Sequence, residues 1–315
     1  MSLPRQRPLA TLALTILLVT YGPACKRGNT ATEPSAAAAS DAAVGTTANL
    51  VPGCEITTAS DGLPLLADPK SPYFDQLGVA FSADGRTASG YGEALAHASA
   101  PDATRLPDGS VGVYYNSGET GGIWLARLAG ASLSPVSAIT VNGVLRPKWM
   151  SDINVELIGG KVRMIYLNGE RGRRFCVAES SDGLNFQTVA LAISFGGTEA
   201  DPTVVRLPDG SWLMAFSREN HTGIGFARSG DGLSFSEFAT ATYGVVPELA
   251  LTSDGRARLY VCAGRGVDSY VSSDNGSQWT REGQVISADV VGRRIVCDPT
   301  YLPGSGVFIF KTTDA

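Results

Sequence analysis

Short apolar runs separated by polar or glycine-bearing stretches recur along most of this chain, and their spacing predicts strands rather than helices. The clearest case is residues 201–235, DPTVVRLPDGSWLMAFSRENHTGIGFARSGDGLSF. Three runs of strand length, 203–207, 212–216 and 224–227, lie within it. Pro208-Asp209-Gly210 joins the first two, with proline presetting φ and glycine accepting a positive φ, which predicts a tight hairpin. The second connection, 217–223, carries Arg218, Glu219, Asn220 and His221, more side-chain chemistry than a turn requires. Ser229-Gly230-Asp231-Gly232 follows and is closed by Phe235. Its hydroxyl and carboxylate can bond turn amides while the ring packs below.

Copies of this unit fill most of the chain. Arg105-Leu106-Pro107-Asp108-Gly109-Ser110 repeats as Arg206-Leu207-Pro208-Asp209-Gly210-Ser211, and the Ser-x-Asp-Gly box stands also at Ser82, Ser180 and, in a longer form ending in Trp279, at Ser272. An acid opens every unit: Asp102, Asp152, Asp201, Glu248 and Asp298, at intervals of 50, 49, 47 and 50 residues. A period near fifty built from four short strands is the signature of a β-propeller blade. The expected fold is therefore all-β, a five-bladed β-propeller of four-stranded antiparallel blades. After Asp298 only two strands fit, while residues 78–81 and the Ser82 box look like a third strand 20 residues before Asp102. The amino-terminal strands should thus complete the last blade and close the ring.

The chain begins with something other than this fold. Arg5 and Arg7, a thirteen-residue apolar run at 9–21, and Gly22-Pro23-Ala24 before Cys25 describe a secretory signal over 1–24, too short to span a bilayer. Cys25 is similar to the lipid-modified cysteine of bacterial lipoproteins, although ordinary cleavage after Ala24 also fits. Residues 25–52, rich in Ala, Ser and Thr, read as a flexible tether, leaving 53–315 as the propeller. Export permits two disulfides among Cys54, Cys176, Cys262 and Cys297, with the pairing open. A net charge of −5 without a basic run argues against nucleic acid as a partner. The expected state is an extracytoplasmic monomer held to the membrane by a lipid at Cys25.

Because strands alternate in direction, the Pro-Asp-Gly hairpins and the Ser-x-Asp-Gly boxes fall at one end of the propeller, and the five acids with the longer loops fall at the other. The first end is expected to be structural. The second is a polar funnel and the default ligand site, with Asp298, Trp149, Arg171, Arg218, His221 and Arg265 as candidate ligand contacts. The units resemble the five-bladed propellers of the arabinanase, β-xylosidase and levanase-invertase glycoside hydrolases. That resemblance implies a carbohydrate ligand and a catalytic set of two aspartates and one glutamate. Carried over, Glu248 would be the general acid, Asp201 the supporting aspartate, and Asp102 the base or nucleophile, with Asp152 as the alternative because Trp149-Met150-Ser151-Asp152-Ile153-Asn154 is faintly similar to an invertase motif. No cofactor is expected, though the ring of acids could hold a channel cation such as calcium. Two other functions stay open: a surface lipoprotein that binds glycan or protein without catalysis, in which the acids only cap amides and line a hydrated channel, and a sialidase, suggested by the boxes.

Overall fold

A computed structural model describes residues 51–170 and 172–314. The signal segment, Cys25, most of the tether and Arg171 lie outside the described residues. Five antiparallel sheets follow one another around a central channel, with strand order running outward from the channel in each. Blade 1 consists of Ala98–Arg105, Val111–Ser117, Ile123–Ala129 and Ser132–Ala138. Blade 2 consists of Met150–Ile158, Lys161–Asn168, Arg174–Ser180 and Asn185–Ser194. Blade 3 consists of Ala200–Arg206, Trp212–Ser217, Ile224–Ser229 and Ser236–Ala241. Blade 4 consists of Val245–Leu251, Ala257–Ala263, Gly266–Ser272 and Thr280–Ser287.

Blade 5 joins the two ends of the ring, as the half-blade after Asp298 requires. Its inner strands are Ile295–Leu302 and Val307–Thr313, and Asp75–Phe81 pairs with the latter in register Leu77↔Lys311 and Gly78↔Phe310, with Ser89–Ala96 outermost. Gly78 is required by packing, since a β-carbon there would stand 2.6 Å from the Phe310 ring. Large apolar side chains fill the seams between blades. Phe175 and Phe216 of blades 2 and 3 meet edge to face, and Tyr260 of blade 4 meets Phe308 of blade 5 in the same way.

The boxes fold as their chemistry predicts. Ser180 Oγ accepts from Gly183 N at 2.9 Å and donates to Asp182, whose carboxylate accepts from Leu184 N and Asn185 N at 2.8 Å each, over a fully buried Phe186. Ser229 with Asp231 and Ser272 with Asp274 repeat the arrangement. Blade 1 has no box. A two-residue turn at Gly130-Ala131 replaces it, and a small hairpin, Thr140–Val141 with Val144–Leu145, instead pairs with the outer strand of blade 2.

Residues 51–74 form a strap along the loop end of blades 2 and 1 before entering blade 5. Val51 packs against the core between those blades. The disulfide Cys54–Cys176 fixes the strap to blade 2, Asn168 Nδ2 donates to Glu55 O, and Leu65 N donates to Gly118 O in blade 1. A β-carbon on Gly118 would stand 2.2 Å from Tyr73 N, so only glycine lets the strap lie this close. The second disulfide, Cys262–Cys297, ties blade 4 to blade 5.

Candidate functional site

The inner strands of all five blades begin with the same distortion. Ala100, Asp152, Asp201, Val246 and Asp298 have φ of 46°, 46°, 52°, 50° and 46°, and the ladder to the second strand slips at or next to each of them. A non-glycine residue here, and β-branched Val246 above all, carries strain that the surrounding sheet must impose. These five residues form an upper tier around the mouth of the channel. Two positions further along each strand, Asp102, Asn154, Thr203, Glu248 and Thr300 form a lower tier inside it.

This register corrects the expectation of a single ring of five acids. Asp152, Asp201 and Asp298 belong to the mouth, whereas Asp102 and Glu248 belong to the lower tier, with Ala100 and Val246 in the mouth positions of their blades. The prolines Pro101, Pro202, Pro247 and Pro299 mark the offset in the sequence, since each stands between an upper and a lower residue.

The lower tier is a closed hydrogen-bonded ring that staples each inner strand to the next. Asp102, 3 % exposed, accepts from Asn154 Nδ2, Val155 N, Ala103 N and Thr300 Oγ1. Asn154 Oδ1 accepts from Val204 N, and Thr203 Oγ1 accepts from Leu249 N while donating to Glu248. Glu248, also buried, accepts from Tyr301 N at 3.4 Å and lies 3.4 Å from Thr300 Oγ1, whose one proton is directed at Asp102. Burial pushes the Asp102 carboxyl up to about 6 against the pull of these donors. Burial, followed by the charge of Asp102, drives Glu248 well above the usual carboxylate range. Glu156 lines the channel just below and is raised to about 8 by its enclosure and by Asp102.

The upper tier is open and charged. It borders a small pocket that reaches down to Asp102 and Glu248. Lys311 Nζ lies 3.0 Å from Asp298, which holds the lysine charged. His221 Nε2 lies 3.2 Å from Asp201, and this contact raises the imidazole pKa. Asp152 has only the Ser151 hydroxyl as a hydrogen-bond partner among the described residues, at 3.1 Å. Burial, then repulsion from Asp201, pushes its carboxyl up to about 7.

The remaining candidates separate by position. Trp149 is 52 % exposed at the head of the strand that carries Asp152, with Lys148 Nζ 5.7 Å from its ring centroid. Arg218 does not reach the pocket. It pairs with Glu237 on the outer strand of its own blade rather than with the adjacent Glu219. Arg265 is likewise committed, to Asp289 and the carbonyls of Arg293 and Arg294. Lys311 was not among the candidates, since nothing in its local sequence shows that a second-strand residue of the closing blade reaches Asp298. Cys262, Cys297 and Asp298 bring metal-ligand atoms close together, but both sulfurs are spent in the disulfide.

No family model matches the chain. Over 173 residues, 54 % of this chain, it is 28 % identical to a xyloglucanase of Hypocrea jecorina, and it spans about 19 % of that curated relative's length. Among solved structures it superposes on a thermostable family-43 glycoside hydrolase with a TM-score of 0.55 and 12 % identity, covering 68 % of this chain and 83 % of the other. A protein of unknown function from Dyadobacter fermentans gives a TM-score of 0.50 at 14 % identity, covering 79 % and 85 %. The chain is a five-bladed β-propeller with structural neighbours among the family-43 glycoside hydrolases.

Proposed function

We propose that the mouth of this propeller binds carbohydrate. The observation that carries the reading is the pocket lined by Asp152, Asp201 and Asp298, with an exposed indole, Trp149, just ahead of the strand that carries Asp152. A flat apolar ring suits the C–H face of a sugar, and carboxylates accept from its hydroxyls. The partial likeness to a xyloglucanase supports a neutral plant or microbial glycan as the ligand class. The acidic mouth works against sugars that carry a carboxylate, which disfavours the sialidase alternative.

Binding without cleavage is the better-supported form of this reading. Asp102 and Glu248, the carried-over nucleophile and acid, are already committed to backbone and hydroxyl donors that hold the blades together. Calorimetric titration with neutral xylan- and xyloglucan-derived oligosaccharides should show binding that falls at least tenfold in Trp149→Ala. Absence of heat across such a panel would refute the proposal.

One observation favours a hydrolase: the Asp152 carboxyl, pushed up to about 7, stands beside a second carboxyl, Asp201, in one pocket, and glycosidic cleavage uses such a pair. In that case Asp152 is the acid and Asp201 the base, and Asp152→Asn abolishes turnover of aryl glycosides while Glu248→Gln folds poorly. The chain's export and its lipid anchor at Cys25 belong to the same proposal, and palmitate labelling that disappears in Cys25→Ser tests them.

A further inference from the structure

At the loop end of blade 3 a second acidic pair stands outside the mouth. Glu199 precedes the inner strand and is 7 % exposed, yet its Oε2 has no hydrogen-bond partner. Glu219 opens the short 3₁₀ turn Glu219–His221. Both side chains converge on Gly197: a β-carbon built there would stand 3.0 Å from Glu199 Oε2 and 3.0 Å from Glu219 Cδ, which puts the two carboxylates within about 6 Å of each other. Among the described residues neither carboxylate is in an ion pair. Asn220 N donates to Thr198 Oγ1 at 2.9 Å, so the segments bearing the two glutamates are cross-linked and the convergence is built into the loops.

We propose that Glu199 and Glu219 bind a divalent cation of the calcium type. Two carboxylates of like charge, one with a buried oxygen that no donor reaches, are held together at a cost that a hard cation with oxygen preference would remove. Gly197 lacks the side chain that would crowd both carboxyl groups, and the exposed side of Glu219 leaves room for the waters that complete a calcium shell. With only two protein carboxylates the site belongs to the weak class, filled at the roughly 10⁻⁴–10⁻³ M affinities of extracellular modules. The ion would also act on the mouth, because His221, two residues after Glu219 in the same turn, contacts Asp201. Holding Glu219 fixes the turn that presents His221.

The test is titration of the chelator-treated full chain with CaCl₂ by isothermal calorimetry, alongside Glu219→Gln, Glu199→Gln and Asp152→Asn. One cation should bind with a submillimolar to millimolar Kd, weaken at least tenfold in Glu219→Gln, and be unchanged in Asp152→Asn. Glu219 is exposed, so its variant should fold even if Glu199→Gln does not. Absence of saturable binding up to 10 mM CaCl₂, taken as a rough tenfold excess over the weakest expected Kd, would overturn the site. Binding that survives Glu219→Gln but disappears in Asp152→Asn would place the cation in the channel and overturn it equally.

Discussion

The two tiers of the channel use the same residue types for opposite ends. In the lower tier, carboxylate, amide and hydroxyl side chains are saturated by neighbouring blades, and their chemistry is consumed in holding the ring closed. Two positions away, Asp152, Asp201 and Asp298 keep capacity to spare, with two of them balanced by His221 and Lys311. A buried acid with a shifted pKa is therefore no sign of a site by itself. Asp102 and Glu248 are perturbed as Asp152 is, but among the described residues Asp152 has the Ser151 hydroxyl alone as a donor where the other two have several.

The sharpest way to break this comparison is to delete one acid from each tier. Asp102→Ala leaves four donors from three blades without an acceptor, and should destabilise the fold by about 3–5 kcal/mol, read as denaturant midpoint at constant slope. Asp152→Ala should be neutral or mildly stabilising, because it removes a carboxylate that burial and Asp201 disfavour. Equal losses in the two variants would erase the distinction between tiers.

Lys311→Met asks whether the mouth needs its cations. Removing the charge leaves Asp298 uncompensated beside Asp201 and Asp152, and a loss of about 1–3 kcal/mol is expected in the same assay. The loss should be largely recovered in the double variant with Asp298→Asn, a coupling that a purely apolar role of the lysine stem would not produce.

A smaller effect is expected from pH. Asp102, Asp152, Glu156 and Glu248 all have folded-state pKa values above those of an unfolded chain. The folded state thus holds more protons than the unfolded state between about pH 4 and 8, and stability should rise as pH falls through 8 to 6. Calorimetric Tm measured at pH 8, 7 and 6 should show that rise, with a shallower slope in Asp152→Asn. A Tm that falls over this window would mean the channel acids are ionised without penalty.

The fold was legible because turns and seals are written locally. Pro208-Asp209-Gly210 and Ser229-Gly230-Asp231-Gly232 name their own conformations, and their spacing counts the blades. The half-blade after Asp298 even told which strands close the ring. The site was less legible because acids were grouped by type and interval, and a shift of two residues in register separates Asp102 from Asp201 more completely than a change of residue would. Pro101 and Pro247 carried that information. Arg218 illustrates another limit, since its partner, Glu237, lies nineteen residues away on an outer strand and nothing local distinguishes it from Glu219. Disulfide pairing was open for the same reason: Cys54 and Cys176 are 122 residues apart and meet only through the strap.

The joint in blade 5 has a consequence for how the molecule is made. Gln76 and Thr312 are hydrogen-bonded across 236 residues of chain, so the first propeller strands to leave a ribosome wait for the last. At roughly 5–20 residues per second that wait is on the order of 10–50 s, during which two apolar strands have an open edge and no sheet to join. Four blades can condense as they emerge, but the ring locks only in one late, long-range event. A chain built this way stays unlocked for as long as it is being threaded, and its final fold is a single decision taken after synthesis.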